Sequence, residues 1–271
     1  QSAYHNKQFV NCMHEKSKDI LFKILNYAQM TLEKGGISFI HTIAANTIQI
    51  ILENDECLSY MNDPFEYEFT TKFQPQQGNQ LTFADALIEV LFNICNTSSL
   101  LPIFASIVEM ISLKVTQLSV FCSVQTLDVF TNLSQTQNED DTNKIWAVQC
   151  LLESFANIVQ RPQGNDFFRV IIAQRTAAFQ FAKKVRSINS PALEIVLKYL
   201  ATIREKILKE NMSKIDISEI NDVVLNIDVK SIFPTPLLFQ PKPFTSAHIE
   251  KAWSEWCEVF FLQSFKPELD A

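Results

Sequence analysis

Glycine is nearly absent from this chain. Its 271 residues include 4 glycines, Gly35, Gly36, Gly78 and Gly164, against an ordinary share of roughly 7%. Tight hairpins and phosphate-cradling loops need backbone in the left-handed region, which glycine alone enters freely. The composition therefore argues against a mostly β protein and against a phosphate-loop enzyme. Long apolar runs are missing as well. The longest, around Leu100 to Ile111, is interrupted by Pro102, Ser106 and Glu109 and falls short of the roughly 18 residues of a membrane span. No membrane association is expected.

Groupings that carry chemistry are equally scarce. The four histidines, His5, His14, His41 and His248, are scattered. Only Cys12, Met13 and His14 with His5 approach a cluster, and a second ligand pair for zinc is lacking. No G-x-S-x-G, Walker or Rossmann pattern occurs. The acidic pairs Asp55-Glu56 and Asp140-Asp141 precede helical stretches, where a carboxylate suits the helix dipole. We expect no catalytic residues, no metal and no cofactor. The six cysteines, Cys12, Cys57, Cys95, Cys122, Cys150 and Cys257, stand singly in apolar segments. That is how small core residues are distributed, and it points to a reducing intracellular compartment, without distinguishing cytoplasm from nucleus. Asn96, Asn132 and Asn211 stand in Asn-x-Ser/Thr triplets, a pattern common by chance that gets little weight. The chain begins at Gln1 with no charged-then-apolar leader and is read as a portion of a longer protein.

What is present is helical periodicity from end to end. Apolar residues recur at three-and-four spacing over about 16–33, 38–53, 81–96, 99–113, 115–134, 143–160, 165–187 and 190–211, with a weaker stretch at about 216–228 and a last one at about 245–264. Pro102 and Pro191 fall in first turns, where a missing N–H costs nothing. A polar and aromatic stretch, about 62–80, holds Pro64, Pro75 and Gly78 and reads as a long irregular loop. Pro234, Pro236, Pro241 and Pro243 make the segment before the last helix extended. The expected organisation is a helical-repeat stack over 1–228, an extended proline-rich linker over 229–244, and a docking or capping helix over 245–271.

Three helical stretches end in a similar phrase: Leu91-Phe92-Asn93-Ile94-Cys95, Phe130-Thr131-Asn132-Leu133-Ser134 and Phe155-Ala156-Asn157-Ile158-Val159, each preceded by a leucine at Leu87, Leu127 and Leu151. This phrase resembles the last helix of armadillo repeats, and the likeness to the armadillo and HEAT group extends over about 37–211. The resemblance implies an all-α fold, an irregular right-handed α-solenoid of about nine to ten stacked antiparallel helices. It also implies that Asn93, Asn132 and Asn157 line a concave groove that binds the backbone of an extended peptide.

Charge is unevenly placed. The net charge is −7, yet residues 161–214 hold 11 Lys/Arg against 4 Asp/Glu, leaving 12 against 26 elsewhere. On the helix near 165–187, Arg175, Lys183 and Arg186, with Lys184 beside them, lie opposite Val170, Ile171, Ala178, Ala182 and Val185. On the following helix, Lys198, Lys206 and Lys209 lie opposite Val196, Leu200, Ile203 and Ile207. Stacked together, these form a basic ridge for an acidic partner. The alternative is a solvated face that balances acidic neighbours within the fold. In the last helix Ile249, Trp253, Trp256 and Phe260 share about 60° of arc. Such a stripe either caps the open end of the stack or meets a second copy or another protein.

The expected function is that of a non-enzymatic protein–protein interaction scaffold, part of a larger intracellular protein, with a partner held on a concave or basic surface. The alternatives are a helical nucleic-acid-binding module that uses the basic ridge and a regulatory subunit of an enzyme supplied by a partner. Nucleic acid is the weaker of these, because the chain is acidic overall and no aromatic residues interleave with the bases.

Overall fold

A computed structural model of the chain describes residues 19–27, 47–49, 51–52, 58–65, 82–94, 101–114, 120–135, 142–161, 166–184, 188, 190–209 and 217–241. The fold is all-α. Among the described residues there is no strand, only an isolated antiparallel bridge between Pro64 and Thr82. Helical residues 19–27, 47–49 and 51–52 and a 3-10 turn at Tyr60–Asn62 precede α1 (Phe83–Ile94), α2 (Leu101–Lys114), α3 (Val120–Gln135), α4 (Thr142–Val159), α5 (Asp166–Gln174), α6 (Thr176–Lys184), α7 (Pro191–Lys209), α8 (Ile217–Leu225) and the single turn α9 (Val229–Ile232). No helix among these is long and apolar enough to cross a membrane.

Local chemistry sets several boundaries. α1 starts at a capping box: Thr82 Oγ1 accepts from the Asp85 N–H at 3.3 Å, and Asp85 Oδ2 accepts from the Thr82 N–H at 3.2 Å, so two helix-start donors are met reciprocally. Ser190 caps α7 by accepting from the Ala192 N–H at 3.2 Å, with Pro191 as first helical residue. Asp228 caps α9 through the Lys230 N–H at 3.1 Å.

The single helix expected over 165–187 is two. The Arg175 N–H is shared between the carbonyls of Ile171 and Ile172, each at 3.1 Å, and the Ala178 N–H bonds to Arg175 O at 3.0 Å. Thr176 Oγ1 donates to Ala173 O at 2.8 Å. These three-residue bonds and the back-bonding threonine tighten the chain and separate α5 from α6.

The helices pack in two rows. α2 lies on α4, and α4 on α7. α1 lies on α3, α3 on α5 and α6, and α5 on α8. α3 and α5 also touch α4, and α8 touches α7, so the rows press together. The buried apolar residues form one cluster reaching from Leu21 to Phe233. α2 is its centre, buried at every position from Leu101 to Ser112. α7, by contrast, buries Ala192, Leu193, Val196, Tyr199, Leu200, Ile203 and Ile207 at helical spacing and leaves its other face outside.

A group of four rings ties α3, α4, α5 and α6 together. Phe130 meets Phe155 edge-on at 5.2 Å and stacks on Phe179 at 4.9 Å, while Phe155 also touches Phe168 and Phe179, both at 5.7 Å. All four are fully buried. Replacing Phe155 by Ala removes three ring contacts and opens a cavity, so chemical denaturation should show a loss of about 3–5 kcal/mol. A loss under about 1 kcal/mol would show that these rings do not hold the rows together.

Candidate functional site

Past α9 the chain continues without regular structure from Phe233 to Pro241, lying along the C-terminal half of α4. Proline shapes this strap. Phe233, Thr235 and Gln240 each precede a proline, which disfavours helical backbone at those three positions. Leu237 and Phe239 lie between the prolines and keep their N–H groups.

Both of these residues are held by their main chain. Asn157 Oδ1 accepts from the Phe239 N–H at 2.8 Å, and Asn157 Nδ2 donates to Phe239 O at 3.0 Å. One turn further on, Gln160 Oε1 accepts from the Leu237 N–H at 2.8 Å, and Gln160 Nε2 donates to Leu237 O at 2.8 Å. Each side-chain amide thus meets one residue of the strap with donor and acceptor together. The strap runs antiparallel to α4. Three helical residues rise about 4.5 Å, whereas two extended residues span about 6.7 Å, and the extra methylene of glutamine makes up part of the difference.

The amides are fixed before they reach the strap. The second hydrogen of Gln160 Nε2 goes to Ala156 O at 2.9 Å, and that of Asn157 Nδ2 goes to Ser112 Oγ at 3.4 Å. Ser112 Oγ in turn donates to Glu109 O at 2.7 Å, so its lone pair faces the asparagine. Asn157 is 0% exposed and Gln160 3%. In such surroundings an amide left without partners costs about 1–3 kcal/mol, so the pairing with the strap matters to the fold as well as to the strap.

The strap's side chains divide. Phe239 packs partly buried against the core, while Leu237 and Leu238 are 55% and 44% exposed. At the strap's start, Lys198 Nζ donates to Ile232 O at 3.0 Å and lies 5.2 Å from the centre of the Phe233 ring.

The asparagines of the repeated phrase have different fates. Asn157 meets extended backbone, Asn132 is exposed on α3, and Asn93 lies on α1 with its side chain outside the described residues. Three of the basic residues meet groups within the fold. Arg175 pairs with Asp128 of α3 at 2.8 Å, Lys183 lies 3.7 Å from Glu194 of α7, and Lys198 is turned to Ile232 and Phe233. Lys184 and Lys209 are exposed and Lys206 is half-buried. Arg186 lies outside the described residues, as do Ile249, Trp253, Trp256 and Phe260. Residues 229–232 of the expected linker form α9, and 233–241 is the strap.

Gln160 was not anticipated. Its signal is the step Asn157-x-x-Gln160, which sets two amides on one face of a helix. Arg169 and Tyr199 are among the other buried polar groups. Arg169 donates to Arg161 O at 3.2 Å and pairs with Asp166, and burial raises the Tyr199 phenol well above its ordinary range. Compared with known proteins, the chain matches no family model, no curated protein and no solved structure.

Removing both amides, Asn157→Ala with Gln160→Ala, should free the strap while the helices remain. Hydrogen exchange at the Leu237 and Phe239 amides should accelerate at least tenfold, since four bonds of about 1 kcal/mol each are lost. Unchanged protection at both amides would mean that something other than Asn157 and Gln160 holds the strap.

Proposed function

We propose that this chain is a non-enzymatic interaction scaffold, an armadillo/HEAT-like stack that holds extended peptide against α4 by its main chain. The observation that carries the reading is the paired amide contact of Asn157 and Gln160 with Phe239 and Leu237. Two buried amides spaced along a helix form a general reader of extended backbone, tolerant of side chains and intolerant of proline at either held position. The chain's own strap is then one occupant of a groove that can receive a partner's segment.

The stack reading is supported by the two rows, α2–α4–α7 and α1–α3–α5–α8, in which each helix packs on one two or three positions further along the chain. Engagement of Arg175, Lys183 and Lys198 by groups within the fold favours a protein partner over nucleic acid, which would need those cations for phosphates.

A peptide-binding experiment tests this. Leu237→Pro with Phe239→Pro removes both strap N–H donors and leaves Asn157 and Gln160 intact. A fluorescent peptide with the sequence of residues 233–241 should bind this variant with Kd near 10 μM, about −7 kcal/mol, and bind the unaltered chain at least tenfold more weakly. Adding Asn157→Ala and Gln160→Ala should abolish binding. No binding to the double-proline variant, or binding indifferent to loss of the amides, would overturn the proposal.

A further inference from the structure

Two serine or threonine residues in the sequence stand directly before proline, Ser190 and Thr235. The fold separates them sharply. Ser190 is 7% exposed, its Oγ accepts from the Ala192 N–H, and Pro191 opens α7. It cannot be drawn into an extended conformation without unwinding the start of that helix. Thr235 is exposed, stands between Pro234 and Pro236, and belongs to a stretch with no regular structure.

Pro234 and Pro236 have no N–H to give, and among the described residues no hydrogen bond of the backbone involves residues 234–236. The stretch is therefore a short free span between two anchors: Phe233, which is buried beneath Lys198, and Leu237, which is held by Gln160. A segment that is exposed, non-helical and unbonded meets the needs of an enzyme that must lay a peptide out in its own cleft. Proline after the acceptor residue adds a selection. It suits a cleft that offers no acceptor for an N–H at that position.

We propose that Thr235 is a phosphorylation site for a proline-directed serine/threonine protein kinase. In that reaction the Thr235 Oγ attacks the γ-phosphorus of ATP and forms a new O–P bond. The bond from that phosphorus to the β-phosphate oxygen breaks, ADP leaves with the electron pair, and the hydroxyl proton passes to the kinase's carboxylate base. The product carries about −1.5 to −2 charge at pH 7. It stands three residues after the Ile232 carbonyl that now holds Lys198, and Lys230 is also exposed on α9. Asp228 is the opposing charge in this region, its carboxylate already accepting from the Lys230 N–H. The site needs the strap to be reachable; it does not need the groove to take other peptides.

The test uses the purified full chain, Mg-ATP and a recombinant cyclin-dependent protein kinase, with the phosphate located by peptide mass spectrometry. The expected result is a single phosphate, on Thr235. Thr235→Ala should abolish incorporation, and Pro236→Ala should slow it at least tenfold; both positions are exposed, and unchanged circular dichroism will show that the variants are folded. No phosphate on the native chain, phosphate on Ser190, incorporation undiminished in Thr235→Ala, or an unchanged rate in Pro236→Ala would each overturn the assignment.

Discussion

Because α2 is enclosed from Leu101 to Ser112, polar groups along it must be met from inside the protein, and this requirement shapes the chemistry of its neighbours. Ser106 accepts from Gln49 at 3.1 Å. Ser112 is met by the Glu109 carbonyl and by Asn157 of α4. A buried hydroxyl or amide is tolerable only when its partners are present, so the seam between α2 and α4 sets the position of Asn157 before the strap is considered. From this seam the order runs outward: α2 fixes Ser112, Ser112 orients Asn157, and Asn157 sets the register of Phe239.

Neutral amides suit this position for a physical reason. A carboxylate there would accept from the Phe239 N–H but repel its carbonyl, and a lysine would do the reverse. Either would also place a charge where desolvation is severe. An amide matches a peptide group in kind, donor to acceptor and acceptor to donor, at no net charge. The result is contact that depends on the strap's backbone conformation and hardly on its side chains, consistent with Leu237 being held by its main chain while its side chain stays outside.

The all-helical character was plain in the sequence, because glycine scarcity and apolar periodicity both act locally. Asn157 was one of three asparagines that the repeated phrase singled out, and it meets the backbone of the chain's own strap. The phrase around Asn132 is nearly the same as that around Asn157, but α3 has an exposed side where α4 is covered by α2, α7 and the strap. Whether such a residue meets water or backbone depends on what lies over its helix, and a window of five residues does not contain that. The division at Arg175 was hidden for a similar reason, since apolar spacing continues through it and only shared and three-residue hydrogen bonds mark the break. The basic excess of 161–214 was countable. The partners of its members were not, because Asp128 and Ile232 lie 47 and 34 positions from Arg175 and Lys198.

The two anchors of the strap differ in kind, and that difference bears on how it comes away. At its start the hold joins the burial of Phe233 in the core to a cationic contact, Lys198 on a carbonyl and above the ring, and Lys198 is itself exposed, so salt and water compete with the cationic part. At Leu237 and Phe239 the hold is by neutral amides that are fully or nearly buried, which salt hardly weakens. The Arg175–Asp128 pair, with both side chains over 40% exposed, belongs with the cationic part and adds little to stability. A strap fastened in this way loosens first over 234–236, between the buried Phe233 and the amide-held Leu237, and keeps its register at 237–239. The exposed threonine therefore lies in the part that opens with least cost, while the backbone contacts that set the strap's position lie in the part that opens last.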